Sequence, residues 1–183
     1  MGYAGGTNEY PTYYHLGDHS ESIEITYDPA IISYRDLIDI FWQSHNPAYL
    51  APSRQYRSFV FYHNEEQKTI AVETRDAVAA QLKRNVVTEI VPAGTFWQAE
   101  DYHQKYYLTR QRELHGILQS LYPDSAEFIM STVVARFNGY MGGNIGAEDL
   151  VKELEGLGIQ RDIIIPLIEA TGENVATLCP VPG

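Results

Sequence analysis

The chain has 183 residues, of which 44% are hydrophobic, and a formal net charge of −11 at pH 7. This length suits one domain, or one domain with a small appendage, and the apolar content is enough for a packed core. Nucleic acid and anionic membrane surfaces repel such an acidic chain, and no apolar run approaches the length of a transmembrane helix, so we expect neither as a partner.

The first six residues, Met1-Gly2-Tyr3-Ala4-Gly5-Gly6, contain no basic region followed by an apolar stretch. They therefore do not predict a secretory signal peptide. The expected location is the cytoplasm. Targeting to an organelle stays open, because a longer N-terminus would carry the targeting segment.

The first half of the chain predicts short elements separated by loops. Residues 1–21 are rich in glycine and proline and predict a loop. Alternating apolar residues over 22–27 predict a strand. Ser33, with Asp36 three residues later, forms a capping-box pattern that predicts the start of a helix running to about Ser44.

The pattern then changes to strand, helix, strand and helix. Strands are predicted over residues 58–62 and 86–91, on either side of a helix over residues 65–83. That helix is acidic at its start and basic at its end, as the helix dipole favours. A further helix is predicted over residues 99–110.

These elements predict an α+β fold, a two-layer sandwich around a small mixed sheet. Three short amphipathic helices are predicted after it, over residues 126–137, 147–157 and 162–171. Glycines separate them, which is typical of a helical appendage. We therefore predict a main domain over residues 1–122, and a helical extension with a tail over residues 123–183.

The single cysteine, Cys179, excludes an internal disulfide and a cysteine-rich zinc site. The six histidines lack the paired spacing of metal ligands, so we predict no metal site. No phosphate loop, dinucleotide fingerprint or nucleophile elbow occurs, and no cofactor is expected. The fourteen tyrosines leave two interpretations open: ordinary half-buried phenols, or a pocket with apolar walls and hydrogen-bond donors at its ends.

Taken in order, the short motifs of the first 110 residues resemble the A-type peptide methionine sulfoxide reductases. The motifs that carry the resemblance include Gly2-Tyr3-Ala4-Gly5-Gly6, Pro11-Thr12-Tyr13, Gly17-Asp18-His19-Ser20-Glu21, Tyr27-Asp28-Pro29, Gln55-Tyr56-Arg57-Ser58 and Ala99-Glu100-Asp101-Tyr102-His103-Gln104. The helical remainder resembles the extension of one divergent subgroup of that family.

The resemblance implies a ferredoxin-like α+β fold and a peptide-methionine (S)-S-oxide reductase, an oxidoreductase of protein repair under oxidative stress. Its substrate would be methionine-S-sulfoxide, free or in proteins. A cysteine thiolate attacks the sulfoxide sulfur, and a sulfenic acid remains on that cysteine. A second cysteine condenses with the sulfenic acid, and thioredoxin reduces the resulting disulfide. No cofactor or metal takes part.

The resemblance also implies roles for particular residues. Tyr3 and Tyr56 match the two phenols that bind the sulfoxide oxygen. The family's catalytic glutamate falls at His15 and its aspartate at Ala51, so we expect His15 or His19 to act as the proton donor instead. Cys179, in a tail rich in proline, matches the resolving cysteine, with an inert thiol as the alternative.

The family's nucleophile lies in a Gly-Cys-Phe-Trp-Gly segment ahead of the Gly-Tyr-Ala-Gly-Gly motif, and this segment does not occur in the 183 residues. The family's first strand and helix are expected to be missing with it. We therefore expect a chain related to the reductases that is inactive as written. Two alternatives are a non-catalytic module that binds sulfoxide or peptide ends, and an inert gene-model fragment.

Overall fold

The protein, as a computed structural model, is described over residues 1–173. It divides into two compact units, the first over residues 1–100 and the second beginning at Asp101. This boundary lies earlier than the predicted one after residue 122. Cys179, the predicted resolving cysteine, lies outside the described residues.

The first unit contains five short strands and two helices. The strands are β1 (Gly2–Ala4), β2 (Ser20–Ser22), β3 (Phe59–Tyr62), β4 (Glu89–Pro92) and β5 (Trp97–Gln98), and the helices are α1 (Tyr34–Gln43) and α2 (Glu65–Leu82). The strands form two sheets, a three-stranded one in the order β2-β1-β5 and a two-stranded one from β3 and β4. A mixed α/β architecture with small sheets is therefore confirmed, whereas the strands do not join into a single mixed sheet.

The prediction of a continuous loop over residues 1–21 was wrong. Residues 1–21 contain β1 and the start of β2 in place of a continuous loop, and β1 pairs antiparallel with both β2 and β5. Gly2 is needed for this packing, because a Cβ at that position would overlap the Phe96 ring and the Trp97 carbonyl oxygen. The glycines predicted a loop, whereas in the structure Gly2 permits the neighbouring strands to pack closely.

The strand predicted over residues 22–27 does not form, apart from Ser22 at its start. β2 stops at Ser22, and the alternating Ile23 and Ile25 are 70% and 52% exposed. Alternation predicts a strand only if a neighbouring strand is present to pair with it, and this segment has no assigned strand partner in the described part of the chain.

The second sheet arises from a β-α-β unit. β3 and β4 pair in parallel, with Val60 opposite Ile90, and α2 connects them. Asn64 caps α2 by accepting a hydrogen bond from the Gln67 N–H, and Lys83 ends the helix in a left-handed conformation. The predicted strand and helix over residues 58–83 are confirmed, and the next strand begins later than predicted.

Helix α1 begins at the predicted capping box. Ser33 accepts from the Asp36 N–H, and the Asp36 carboxylate accepts from the Ser33 N–H at 3.0 Å. The helix buries Ile38 and Trp42 in a core that also contains Val60, Ala71 and Val86. The Trp42 indole N–H donates to the Thr74 hydroxyl of α2 at 3.0 Å, so that the buried indole nitrogen has a partner.

The second unit is helical over its described residues. Its helices are α3 (Tyr106–Thr109), α4 (Arg112–Leu121), α5 (Ser125–Met130), α6 (Thr132–Met141), α7 (Ala147–Gly156) and α8 (Arg161–Glu169). They enclose a core of thirteen buried residues that includes Leu114, Phe137, Leu150 and Ile164. None of the described helices is long and apolar enough to cross a membrane.

Two helix predictions in this part of the chain were wrong. Residues 99–110 form a 3-10 turn at Asp101–His103 and the short α3, because Lys105 between them has a left-handed φ of 48°. The helix predicted over residues 126–137 is two helices, because Ser131 is extended and accepts from the Val134 N–H to cap the second. Helix α4 was not predicted, whereas α7 and α8 match their predictions closely.

The Trp42–Thr74 hydrogen bond predicts a specific stability effect. Thr74→Val keeps the shape of the side chain but leaves the buried indole N–H without an acceptor, which should cost about 1–3 kcal/mol of unfolding free energy. Urea unfolding measures it. The matched control is Thr69→Val on the exposed face of the same helix, expected within about 0.5 kcal/mol of the wild type. Equal costs for the two variants would contradict the assignment.

Candidate functional site

Tyr3 occupies the middle of the central strand β1 and is 1% exposed. It lies opposite Glu21 of β2 and opposite Trp97 of β5. Its phenol hydroxyl donates to Oε2 of Glu100 at 2.7 Å. A buried phenol with a carboxylate partner has a fixed orientation, which is the property a binding hydroxyl needs.

Glu100 connects this phenol to the turn that follows the glycine-rich segment. Its other oxygen, Oε1, accepts the Tyr13 backbone N–H at 3.0 Å. The turn is closed by the His15 N–H, which donates to the Thr12 carbonyl oxygen at 3.0 Å. The position of Glu100 is set by its neighbour Ala99, which is buried and donates its N–H to the Met1 carbonyl oxygen. One carboxylate therefore joins β1, the turn and the end of β5.

Tyr56, the second predicted phenol, meets the same turn from another loop. A hydrogen bond between the Tyr13 and Tyr56 side chains raises the pKa of Tyr56, with a smaller contribution from the negative charge of Glu21. Unlike Tyr3, Tyr56 is 58% exposed. A series of hydrogen bonds therefore connects Tyr3 to Tyr56, through Glu100 and then Tyr13.

The loop that carries Tyr56 is held to the glycine-rich segment by Arg54. The Arg54 guanidinium donates to the carbonyl oxygens of Asp18 at 2.7 Å and Gly5 at 3.2 Å. The Arg54 carbonyl oxygen in turn accepts from the Ser20 hydroxyl at 2.6 Å. These contacts place the 3-10 turn over Arg54–Tyr56 beside β2.

His19 is buried, with an exposure of 1%, and both of its ring nitrogens have partners. Nε2 lies 2.8 Å from the Asn8 carbonyl oxygen, so it carries the proton, and Nδ1 accepts the Gly6 N–H at 3.2 Å. Gly6 has no room for a side chain, because a Cβ there would lie 2.6 Å from the imidazole ring. These contacts make His19 a bridge inside the glycine-rich loop. Transferring a proton from it would require breaking one of the bridges.

Asp18 holds the same loop from the other side. The Thr7 N–H donates to its carboxylate at 2.7 Å, and this backbone hydrogen bond lowers the pKa of Asp18. His15, the other predicted proton donor, is exposed, and Ala51 at the position of the family aspartate is buried. Of the predicted residues, the structure therefore links Tyr3 with Tyr56, holds His19 inside the loop and leaves His15 at the surface.

The hydrogen bond between Tyr3 and Glu100 does not follow from any sequence pattern. Glu100 precedes a 3-10 turn and binds Tyr3, which is 97 positions away in the chain. Such a contact leaves no local pattern. In the described residues no group of three or more histidine, cysteine or acidic side chains is arranged to hold a metal ion.

The family model described as "Peptide methionine sulfoxide reductase" matches residues 1–136. A Drosophila melanogaster protein named "Peptide methionine sulfoxide reductase" is 40% identical over 164 residues, covering 87% of this chain and 64% of the relative. The chain thus spans less than two thirds of that relative's length.

The chain is also similar to an archaeal protein and to a solved yeast structure. A Methanosarcina acetivorans protein named "Peptide methionine sulfoxide reductase MsrA" is 41% identical over 132 residues, which cover 66% of this chain and 68% of that relative. The crystal structure of reduced Mxr1 from Saccharomyces cerevisiae superposes with a TM-score of 0.56 at 25% identity, covering 61% of this chain and 70% of that one.

The two hydrogen bonds of the buried His19 ring predict a specific effect on stability. His19→Ala removes the partners of the Gly6 N–H and the Asn8 carbonyl oxygen, so it should lower the unfolding free energy by about 2–4 kcal/mol. Denaturant unfolding measures the loss. His15→Ala is the control, expected to change stability by less than about 0.5 kcal/mol because that side chain is exposed. A His19 variant as stable as the control would show that the two bridges contribute nothing.

Proposed function

Because the chain belongs to the peptide methionine sulfoxide reductase family, we propose that the site around Tyr3 binds the oxygen of methionine sulfoxide. That oxygen carries partial negative charge and accepts hydrogen bonds strongly, so a phenol with a fixed hydroxyl suits it. The observation that carries the proposal is the buried Tyr3 hydroxyl, held by Glu100 and connected through Tyr13 to Tyr56.

For a chain that also carries the nucleophile segment, the proposed reaction is reduction of methionine-S-sulfoxide, free or in proteins, to methionine. A cysteine thiolate attacks the sulfoxide sulfur, and protons are delivered to the oxygen. Methionine is then released, and the oxygen remains on the cysteine as a sulfenic acid. A second cysteine and a thioredoxin-like reductant then restore the thiolate. The cytoplasm, where thiols are kept reduced, suits this chemistry and is the proposed location.

The ferredoxin-like two-layer sandwich is proposed for the complete family domain. The parallel β3 and β4, joined through α2, are one β-α-β unit of the kind such a fold contains. Helix α1 packs on α2 through Ile38 and Trp42, as the helical layer of a two-layer sandwich does.

The 183 residues contain one cysteine, and the Gly-Cys-Phe-Trp-Gly nucleophile segment does not occur among them. We therefore propose that this chain by itself binds sulfoxide without reducing it. A non-catalytic module that binds sulfoxide or peptide ends is the second candidate function, because the hydrogen bonds around Tyr3 do not involve a cysteine. His15 or His19 as proton donor, and Cys179 as resolving cysteine, remain proposals for a chain that has the nucleophile.

The binding proposal predicts a specific loss. Tyr3→Phe removes one hydrogen bond to the sulfoxide oxygen, worth about 1 kcal/mol, so affinity for N-acetyl-methionine-(S)-sulfoxide should fall about fivefold. Titration calorimetry measures the dissociation constant. Tyr49→Phe is the matched control, because this tyrosine is 61% exposed in another loop, and its affinity should not change. Equal affinities for both variants would contradict a role for Tyr3.

The turnover proposal is tested by a reduction assay with methionine-S-sulfoxide and dithiothreitol. The purified 183-residue chain should give no methionine above the rate without protein, and Cys179→Ser should behave in the same way. Turnover by the wild type that disappears in Cys179→Ser would contradict the proposal, because it would make Cys179 the nucleophile.

A further inference from the structure

The Tyr3 hydroxyl has one proton, and it is already donated to Oε2 of Glu100 at 2.7 Å. A sulfoxide oxygen is only an acceptor, so it can bind this phenol only by accepting the same proton. An ionised Glu100 and a bound sulfoxide therefore compete for one donor. The competition is unfavourable for the ligand, because a hydrogen bond to a carboxylate is about twice as strong as one between neutral groups.

We propose that Glu100 takes up a proton when the sulfoxide binds. The neutral carboxyl group then donates to the Tyr3 oxygen, and Tyr3 donates its own proton to the sulfoxide oxygen. Solvent supplies the additional proton, and no bond to carbon or sulfur changes in this step. The inference rests on the proposed function, since it assumes that the sulfoxide oxygen contacts Tyr3.

Glu100 acts in this scheme as a positioning residue, because it reaches the ligand only through Tyr3. Its uptake of a proton reverses the direction of the Tyr3–Glu100 hydrogen bond without requiring either side chain to move far. It also places at the site, before any bond breaks, one of the protons that the sulfoxide oxygen needs when it leaves.

The same proton affects access to the site. Tyr3 is 1% exposed, so a ligand reaches its hydroxyl only after neighbouring residues move. Oε1 of Glu100 holds the Tyr13 N–H at 3.0 Å, and that bond weakens when the carboxylate becomes neutral. Protonation of Glu100 therefore loosens the turn over residues 12–15 at the moment when the phenol becomes available to the ligand.

Other titratable groups lie on the elements packed around this pair. In the first unit they are the Tyr13 and His15 side chains of the turn, Glu21 opposite Tyr3 on β2, and Tyr56 beyond Tyr13. Glu21 is the second carboxylate near the phenols, and its Oε1 accepts from the Gln55 amide at 2.7 Å. A test must therefore distinguish proton uptake by Glu100 from uptake by Glu21.

The experiment is calorimetric titration of the full chain with N-acetyl-methionine-(S)-sulfoxide at about pH 7, where a free glutamate is ionised. It is repeated in buffers of different ionisation enthalpy, because the dependence of the binding heat on the buffer gives the number of protons taken up. The wild type should take up about one proton for each sulfoxide bound. Glu100→Gln should bind with no net uptake, and Glu21→Gln should keep the wild-type value.

The outcomes separate this inference from the proposed function. Binding by the wild type with no proton uptake, or uptake that survives Glu100→Gln and disappears in Glu21→Gln, would overturn the inference and leave sulfoxide binding intact. No binding by the folded wild type would overturn the proposed function and the inference with it. If Glu100→Gln does not fold, Tyr3→Phe replaces it, because without the hydroxyl any remaining binding should proceed without uptake.

Discussion

The hydrogen bond from the Tyr3 phenol to the Glu100 carboxylate joins the first strand of the first unit to its last residue. It joins two residues that are 97 positions apart, and the second carboxylate oxygen extends the link to the Tyr13 backbone. Three short strands offer few backbone hydrogen bonds, so side chains contribute much of the order in this sheet. A charge-assisted bond to a buried hydroxyl suits this task, because the partner is costly to leave unsatisfied.

Around that bond, the polar groups divide into two sets. His19, Asp18 and Arg54 form hydrogen bonds to backbone atoms and fix the loops of the glycine-rich segment. The Tyr3 phenol donates to a carboxylate, and the Tyr13 and Tyr56 phenols bond to each other. The first set fixes the geometry of the loops, and the second set contains the groups that we propose bind the ligand.

The sequence predicted the elements whose signals are local. The capping box at Ser33 and the charge pattern of α2 located two helices, and the ordered motifs indicated the family. Sequence patterns did not predict the elements that depend on tertiary contacts. Strand β1 forms in a glycine-rich segment because Gly2 permits close packing of the strands. Strand β2 ends at Ser22, although the alternating residues after it predicted a longer strand. The contact between Tyr3 and Glu100 could not be predicted, because the two residues are far apart in the chain and no spacing rule relates them.

We propose that Tyr3 and Tyr56 together recognise the sulfoxide oxygen. The most direct test is carbon NMR of the chain labelled at the tyrosine ζ-carbons, with N-acetyl-methionine-(S)-sulfoxide and with N-acetyl-methionine, which lacks the oxygen. We expect the sulfoxide to shift the Tyr3 and Tyr56 signals while methionine leaves both in place. Equal shifts with the two compounds, or shifts confined to other tyrosines, would contradict the claim.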